Sequence, residues 1–197
     1  MKKEIVCLFQ KNNGLLKAVD LYSAGATRKD VLKALESGDI NRIKHGYYQL
    51  ANTNEPNEAV LIVKLFPEAI LCMDTALFHY EYSDRTPLDW HFAVSRNISK
   101  SRLNLKYPPI IPYYIDDKYL NIGIVKTEID GVQIKIYDRE RVICDCLKYK
   151  NKMDSEMFGK SLQAYLGDSQ KNIKNLAIYA KQLRVYKKAQ DLIGVWL

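Results

Sequence analysis

The sequence predicts an α+β protein of two domains, and three observations support this. Helical and strand-like patterns both recur along its 197 residues, 47% of which are hydrophobic. The last third of the chain reads almost entirely as helix. Residues 51–58, ANTNEPNE, form the one obvious polar linker. We therefore predict one domain at residues 1–52 and a second, mixed α/β domain at residues 58–197 that ends in a helical bundle.

Two helices are predicted at the start of the first domain. Apolar residues recur at helical spacing in residues 2–10, and the following KNNG ends that helix. A second helix is expected near residues 17–24, and Gly25 breaks it.

A third helix and a hairpin follow. Thr27 and Asp30 form a capping-box pattern, and Gly38 is the expected stop. The predicted buried stripe of this helix consists of Val31, Leu32 and Leu35. INRI and YYQL then read as two strands with Gly46 at their turn. Helix, helix, tight turn, helix and a two-stranded wing is the order of a winged helix-turn-helix.

The second domain mixes both patterns. A buried helix at 58–66 stops at Pro67, AILCM reads as a short strand, and Asp74 is expected to cap the next helix. Strands are predicted at 90–95, 111–115, 122–129 and 132–137, the last two joined by an Asp-Gly hairpin signal. Asp138 should cap a further helix, and three more helical patterns complete the chain.

The charge of +7 is distributed unevenly along the chain. Residues 1–50 carry nine Lys/Arg and five Asp/Glu, residues 51–146 carry eleven and fourteen, and residues 147–197 carry ten and four. Two basic ends therefore flank an acidic middle. This pattern favours a polyanionic partner, although solubility alone also explains it.

The third helix is the candidate DNA-reading element. In a helix-turn-helix its first residues face base edges, and here Thr27, Arg28 and Lys29 occupy that position, with Lys33 one turn further on. Arg28 is the candidate for a guanine edge, and the lysines are candidates for phosphates. The remaining candidates for DNA contact are Lys17, Arg42, Lys44, His45 and Tyr47. An ordinary solvated helix face remains the alternative.

A second basic surface is possible at the C-terminal end. Five of its cations recur at spacings of three, four or seven, which would place them on one helical side. The candidate residues are Lys148, Lys150, Lys171, Lys174, Lys181, Arg184 and Lys188. A second DNA contact and a solvated bundle face are equally open interpretations.

Catalytic and metal-binding patterns are sparse. Cys144 and Cys146 do not form a CxxC pair, and no nucleotide-binding or nucleophile motif occurs. His79 and His91 read as partly buried structural residues. One acidic set resembles the ligands of a metal-dependent nuclease: Asp116, Asp117, Glu128 and Asp130, with Lys135 beside them. We predict no cofactor and no metal, and a nuclease is the less favoured alternative.

The sequence suggests a cytoplasmic location. No apolar run approaches the length of a membrane span, and the N-terminal residues lack the pattern of a signal peptide. Four cysteines lie in apolar segments, as reduced and buried thiols do: Cys7, Cys72, Cys144 and Cys146.

Motifs along most of the chain resemble the AbiEi antitoxin family. The N-terminal motifs are Ala26-Thr27-Arg28, Gly38, Arg42-Ile43-Lys44 and Gly46-Tyr47-Tyr48, with Tyr47 in place of the usual valine. In the second domain, EAILCMDTALFHY and GIVKTEIDGVQIKIYDRERVICDCL resemble the family's strand–helix and strand–strand–helix motifs. The helix that ends the second of these motifs contains Asp138, Arg141 and Asp145, with Val142 where the family commonly has threonine.

This resemblance implies a bifunctional antitoxin of a type IV toxin–antitoxin system linked to abortive phage infection. Its first domain would bind inverted repeats in double-stranded operator DNA and repress its own operon. Its second domain would oppose a nucleotidyltransferase-like toxin, without necessarily forming a stable complex. Asp138, Arg141 and Asp145 would be structural, or would act in toxin neutralisation. A module that binds a toxin directly, without specific DNA binding, is the main alternative.

Overall fold

The computed structural model describes residues 3–51 and 57–194. It divides into two compact units, one formed by Met1–Pro67 and Lys100–Pro108 and the other by Glu68–Ser99 and Pro109–Leu197. Most of the predicted linker, residues 52–56, lies outside the described residues.

The first unit has the topology of a winged helix-turn-helix. Its elements are α1 (Lys3–Lys11), β1 (Leu15–Lys17), α2 (Ala18–Ser23), α3 (Arg28–Glu36), β2 (Ile40–Lys44), β3 (Tyr47–Leu50) and α4 (Glu58–Leu65). The three strands form an antiparallel sheet in the order β1-β3-β2. The sequence prediction missed β1, which is only three residues long. Its two leucines are buried by pairing with β3.

The core of this unit joins all three N-terminal helices to the sheet. Its buried members are Ile5, Phe9, Leu16, Leu21, Ala26, Val31, Ala34 and Ile40. The prediction that Leu32 belongs to this core is wrong, because Val31 and Ala34 form the buried side of α3 and leave Leu32 50% exposed.

Residues 58–67 and 100–108 group with the first unit and not with the predicted second domain. Polar contacts explain part of this grouping. The Lys64 ammonium on α4 donates to the carbonyl oxygens of Asn12, at 2.5 Å, and Leu15, at 3.4 Å. The Lys44 ammonium donates to the carbonyl of Arg102.

The second unit surrounds a five-stranded mixed sheet of order β6-β5-β4-β8-β7. Its strands are β4 (Ile70–Leu71), β5 (Trp90–Ser95), β6 (Ile110–Ile115), β7 (Ile124–Ile129) and β8 (Val132–Tyr137). Strand β5 pairs in parallel with β6, and β4 pairs in parallel with β8, whereas β7 and β8 form the antiparallel hairpin that the Asp-Gly turn predicted.

Six α-helices lie among the described residues of the second unit, and the third of them is the central one. They are α5 (Met73–His79), α6 (Asp117–Leu120), α7 (Arg139–Tyr149), α8 (Ser155–Gly167), α9 (Ile173–Gln182) and α10 (Tyr186–Ile193). Residues 140–147 of α7 are all buried, and α5, α8, α9 and α10 pack around this helix. Asp138 caps α7 as predicted, but Asp74 lies within α5, whose N-cap is Cys72.

Three of the four cysteines are buried in this unit. Cys72, Cys144 and Cys146 are buried free thiols, as predicted. Cys7 is exposed on α1, contrary to the prediction, because Ile5 and Phe9 form the buried side of that short helix.

Candidate nucleic-acid interface

The start of α3 is fixed by its cap. The Thr27 hydroxyl oxygen accepts a hydrogen bond from the Asp30 backbone N–H at 3.2 Å, and the Asp30 carboxylate accepts one from the Thr27 N–H at 2.9 Å. Gly25, at a φ of 83°, turns the chain between α2 and α3. A left-handed residue is needed there, and glycine adopts this conformation without strain. The local sequence therefore holds the first residues of α3 in a defined orientation.

The cations of α3 project into solvent. Arg28, Lys29 and Lys33 are all exposed. In residues 3–51 and 57–194, none of them has a hydrogen bond or an ion pair. Their charges are therefore available to a ligand.

The cations of the wing divide into two groups. Arg42 and His45 are exposed and have no polar partner within the described residues. The Lys44 ammonium is already engaged, because it binds the Arg102 carbonyl and lies 4.6 Å from the centre of the Phe66 ring. We therefore leave Lys44 out of the interface, although the sequence made it a candidate.

Lys17 and Tyr47 form a cross-strand pair beside the wing. They are direct neighbours in the β1–β3 register, and the Lys17 ammonium lies 5.9 Å from the centre of the Tyr47 ring. Lys17 is exposed and Tyr47 half-buried. The pair extends the basic surface along the sheet.

The third helix and the wing enclose one groove of about 440 Å³. Arg28 and Leu32 of α3 line one side, Arg42 and His45 line the other, and Tyr22 of α2 contributes a ring. No carboxylate of the described residues lines it. Sequence reasoning missed Leu32 and Tyr22. A signal for Leu32 was present, because it lies four residues after Arg28 and three after Lys29, and such spacings share one helix face.

The C-terminal cations do not lie on one helical side. Lys171 precedes α9, Arg184 follows it with a φ of 62°, and Lys188 belongs to α10. Only Lys174 and Lys181 are on α9 itself. Lys171 and Lys188 donate to the carbonyls of Asp168 and Leu147. The prediction of a single basic stripe is therefore wrong, because it assumed one continuous helix and two turns interrupt that segment.

Lys148, Lys150 and Lys181 are exposed, and each lies over a neighbouring aromatic ring. Their ammonium nitrogens are 5.7 Å from the centre of the Tyr149 ring, 5.2 Å from that of Phe158 and 4.9 Å from that of Tyr186, respectively. Such contacts between an ammonium group and an aromatic ring are common on protein surfaces.

Asp138, Arg141 and Asp145 belong to the second unit, where Asp138 is half-buried and the other two are buried. The Arg141 Nε is 3.1 Å from both carboxylate oxygens of Asp145, and both side chains are almost fully buried. The Arg141 Nη1 donates to two carbonyl oxygens, those of Tyr119 at 2.7 Å and Ile122 at 2.9 Å. A buried network of this kind orders the fold, and a partner protein cannot touch Arg141 without opening the unit.

Gly123, the first residue of the segment GIVKTEID, lies where only glycine fits. Its φ is 76°, and a Cβ at this position would lie 2.6 Å from the Cβ of Arg141 and 2.9 Å from the Asp138 carboxylate. The Gly123 carbonyl accepts a hydrogen bond from the Asp138 N–H at 2.7 Å. Glycine is therefore required at this position, where the residue before β7 meets the start of α7.

The acidic set of the nuclease alternative is split. Asp116 and Asp117 follow β6 at one edge of the sheet, whereas Glu128 and Asp130 belong to β7 and its turn at the other edge. In the part of the chain that the structure describes, no three His, Cys, Asp or Glu side chains are grouped to hold a metal ion. The nuclease hypothesis therefore loses the site on which it was based.

A second cavity, of about 790 Å³, lies in the second unit. Asp168 on its wall accepts hydrogen bonds from the Tyr82 hydroxyl at 2.6 Å and the Arg139 Nε at 2.8 Å. Burial disfavours the charged form of Asp168, but these bonds and one from the Gln170 N–H outweigh it and lower the pKa. Burial also lowers the pKa of His79, and the Arg139 charge adds to this.

His91 has a structural environment. It is buried, its backbone N–H donates to the Thr75 hydroxyl at 2.8 Å, and its Nδ1 lies 3.3 Å from the Tyr113 hydroxyl. Burial lowers the pKa of its ring and outweighs the opposing charges of Asp74 and Asp89.

No protein-family model matches this sequence, and no curated protein is significantly similar to it. Among solved structures, the crystal structure of the RV2827C protein from Mycobacterium tuberculosis is similar to this chain, with a TM-score of 0.53 and 10% sequence identity. The match covers 97% of this chain and 80% of that one. A likeness at this identity concerns the fold, and the predicted α+β class with its helical C-terminal segment is confirmed. None of the described helices has the length and apolar character needed to cross a membrane.

Proposed function

We propose that this protein binds double-stranded DNA through its winged helix, represses its own toxin–antitoxin operon and counteracts a nucleotidyltransferase-like toxin in the cytoplasm. One observation carries the DNA-binding part. Arg28, Arg42 and His45 surround one groove free of carboxylates, and Lys29 and Lys33 are exposed beside it without partners within the described residues. A polyanion complements this arrangement.

The groove suggests how a duplex is held. If α3 enters the major groove, the wing reaches toward the neighbouring minor groove. The sugar–phosphate strand that separates the two grooves then has to pass between α3 and the wing. Arg42 and His45 would contact that strand, and Arg28, at the first position of α3, would donate to the O6 and N7 atoms of a guanine.

Lys29, Lys33 and Lys17 are assigned to phosphates. Lysine acts as a point charge and gains most from phosphate oxygens, whereas arginine provides the paired donors that a guanine edge accepts. The aromatic contact of Lys17 with Tyr47 orients its ammonium along the surface of the sheet.

The test of this proposal uses the DNA upstream of the protein's own gene. Fluorescence anisotropy with a labelled duplex should give a nanomolar-range Kd at low salt. Four phosphate contacts, from Lys17, Lys29, Lys33 and Arg42, predict a slope of about −3.6 for log K against log salt concentration. Absence of binding, or binding that salt does not weaken, would refute the proposal.

The antitoxin part of the proposal is based on the resemblance of the motifs to the AbiEi family. It predicts inverted repeats in the upstream DNA, each bound by one copy of the chain. A reporter gene behind this DNA should be repressed when the protein is expressed. Co-expression with a nucleotidyltransferase-like protein encoded beside it should restore growth that the latter inhibits.

A direct protein-binding module is the alternative function. A stable 1:1 complex with the product of the neighbouring gene, together with no duplex binding at low salt, would support that alternative. The same result would leave the basic surface with a role in solubility only.

A further inference from the structure

Leu32 is exposed in the middle of the cations of α3. Residues three and four apart on a helix lie side by side, so Leu32 is flanked by Lys29 and Arg28, and Lys33 is the next residue. Half of its surface is exposed, and it lines the same groove as Arg28. An exposed leucine thus adjoins the three cations of α3, with Leu35 and Glu36 on its C-terminal side.

The core does not require a leucine at this position. Val31 and Ala34 are 5% and 6% exposed and form the buried side of α3, while Leu35 packs partly against the same core. Exposed leucine surface is unfavourable in water and favourable against an apolar group. The exposed side of Leu32 is therefore available for contact with an apolar group of a ligand.

We propose, on the basis of the DNA-binding function above, that Leu32 recognises a thymine through its C5-methyl group. This methyl is the apolar group that the major groove presents, and leucine is suited to contact it. Arg28 and Leu32 are one helical turn apart, about 5–6 Å. Base pairs stack about 3.4 Å apart, so the thymine lies one or two base pairs from the guanine that Arg28 contacts.

The surroundings of Leu32 favour DNA over a protein partner. An apolar protein surface placed on Leu32 would bring Arg28, Lys29 and Lys33 into a desolvated interface, and unpaired charges are costly there. A duplex supplies a phosphate for each lysine and a methyl group for the leucine. The ligand class is thus a half-site that contains a guanine and a nearby thymine.

The experiment removes single methyl groups from DNA. Duplexes are enriched from a random-sequence pool with the full chain, and each thymine of the enriched site is replaced in turn by deoxyuridine, which keeps the base pair. At one thymine the replacement should weaken wild-type binding about fourfold, the factor for one buried methyl group. The Leu32→Ala variant should not respond to that replacement.

Two further variants sharpen the test. Leu88, 90% exposed in the second unit, is a matched control, and Leu88→Ala should respond like the wild type. Leu32→Gln should enrich sites with adenine in place of the thymine, because glutamine pairs with the N6 and N7 atoms of adenine.

The possible failures are distinguishable. If no duplex is enriched, the DNA-binding function fails and this inference with it. If a duplex is enriched but its affinity for the wild type is unchanged by every deoxyuridine replacement, only the role of Leu32 is overturned. The same conclusion would follow if the replacement weakened binding of Leu32→Ala by the same factor of about four. A self-association that Leu32→Ala abolishes, with its affinity for DNA unchanged, would also overturn that role and assign the leucine to a second copy of the chain.

Discussion

Replacing Arg141 with methionine should lower the unfolding free energy of the second unit by about 3–5 kcal/mol, the usual cost of removing one partner of a buried ion pair. The geometry supports this magnitude. The Arg141 and Asp145 side chains are 1% and 3% exposed, so water cannot replace the lost guanidinium. The carbonyls of Tyr119 and Ile122 lose a donor as well.

Urea denaturation followed by tryptophan fluorescence measures this effect. Trp90 begins β5 of the second unit, so its fluorescence reports on that unit. The double variant Arg141→Met/Asp145→Leu should recover at least about 1 kcal/mol relative to Arg141→Met, because it removes the unpaired carboxylate. If Arg141→Met were as stable as the wild type, or if the double variant recovered no stability, Arg141 would not have the structural role assigned to it. A stable Arg141→Met variant that fails to counteract the toxin would instead indicate a functional role.

Three other substitutions test local features. Thr27→Ala should cost the first unit about 1 kcal/mol in urea denaturation followed by circular dichroism, because the cap with Asp30 is lost, whereas Thr27→Ser should stay near the wild type. Equal losses in both variants would contradict this. Tyr82→Phe should cost about 1–2 kcal/mol at pH 7, because Asp168 loses a charge-assisted hydrogen bond. The pKa of Asp168 is lowered on folding, so its ionised carboxylate stabilises the fold at pH values above the pKa of the unfolded state. This stabilisation is lost as the pH falls through the pKa of the folded state. The stability deficit of Tyr82→Phe should therefore narrow in acid. A constant deficit would disprove this. Gly123→Ala should strongly reduce soluble expression and the fluorescence-detected midpoint, since the added Cβ overlaps α7; normal values would refute the packing explanation.

Features defined by neighbouring residues were predictable from the sequence. The capping box of Thr27 and Asp30, the Asp138 cap and the Asp-Gly hairpin each depend on side chains within a few residues, and the structure contains all three. Their chemistry is local, so it does not depend on which element packs against which.

Features decided by tertiary contacts were not predictable. Whether Leu32 or Ala34 turns inward depends on where the sheet lies, and small alanine is not a strong apolar signal. The engagement of Lys44 depends on Arg102, which is 58 residues away along the chain. The C-terminal lysines were placed on one stripe because their spacing was read as continuous helix, whereas two turns separate them.

The candidate site was predictable in its position and not in its composition. Capping, turn and hairpin signals located the basic helix and wing. Only the structure brought Arg28, Leu32 and Arg42 around one groove. It also showed that the acidic residues of the nuclease hypothesis lie at opposite sheet edges.

The most direct test of the account compares Arg28→Ala with Lys11→Ala on the upstream duplex. Both variants remove one exposed positive charge from the first unit, but Lys11 ends α1 and does not line the groove. The loss of a paired guanine contact predicts an affinity about 5- to 150-fold lower for Arg28→Ala, and a weaker preference for the upstream duplex over a random one. Lys11→Ala should bind within about twofold of the wild type, since a lone charge outside the interface acts only through a screened field. Equal affinities of the two variants would contradict the assignment of α3 as the DNA-reading helix.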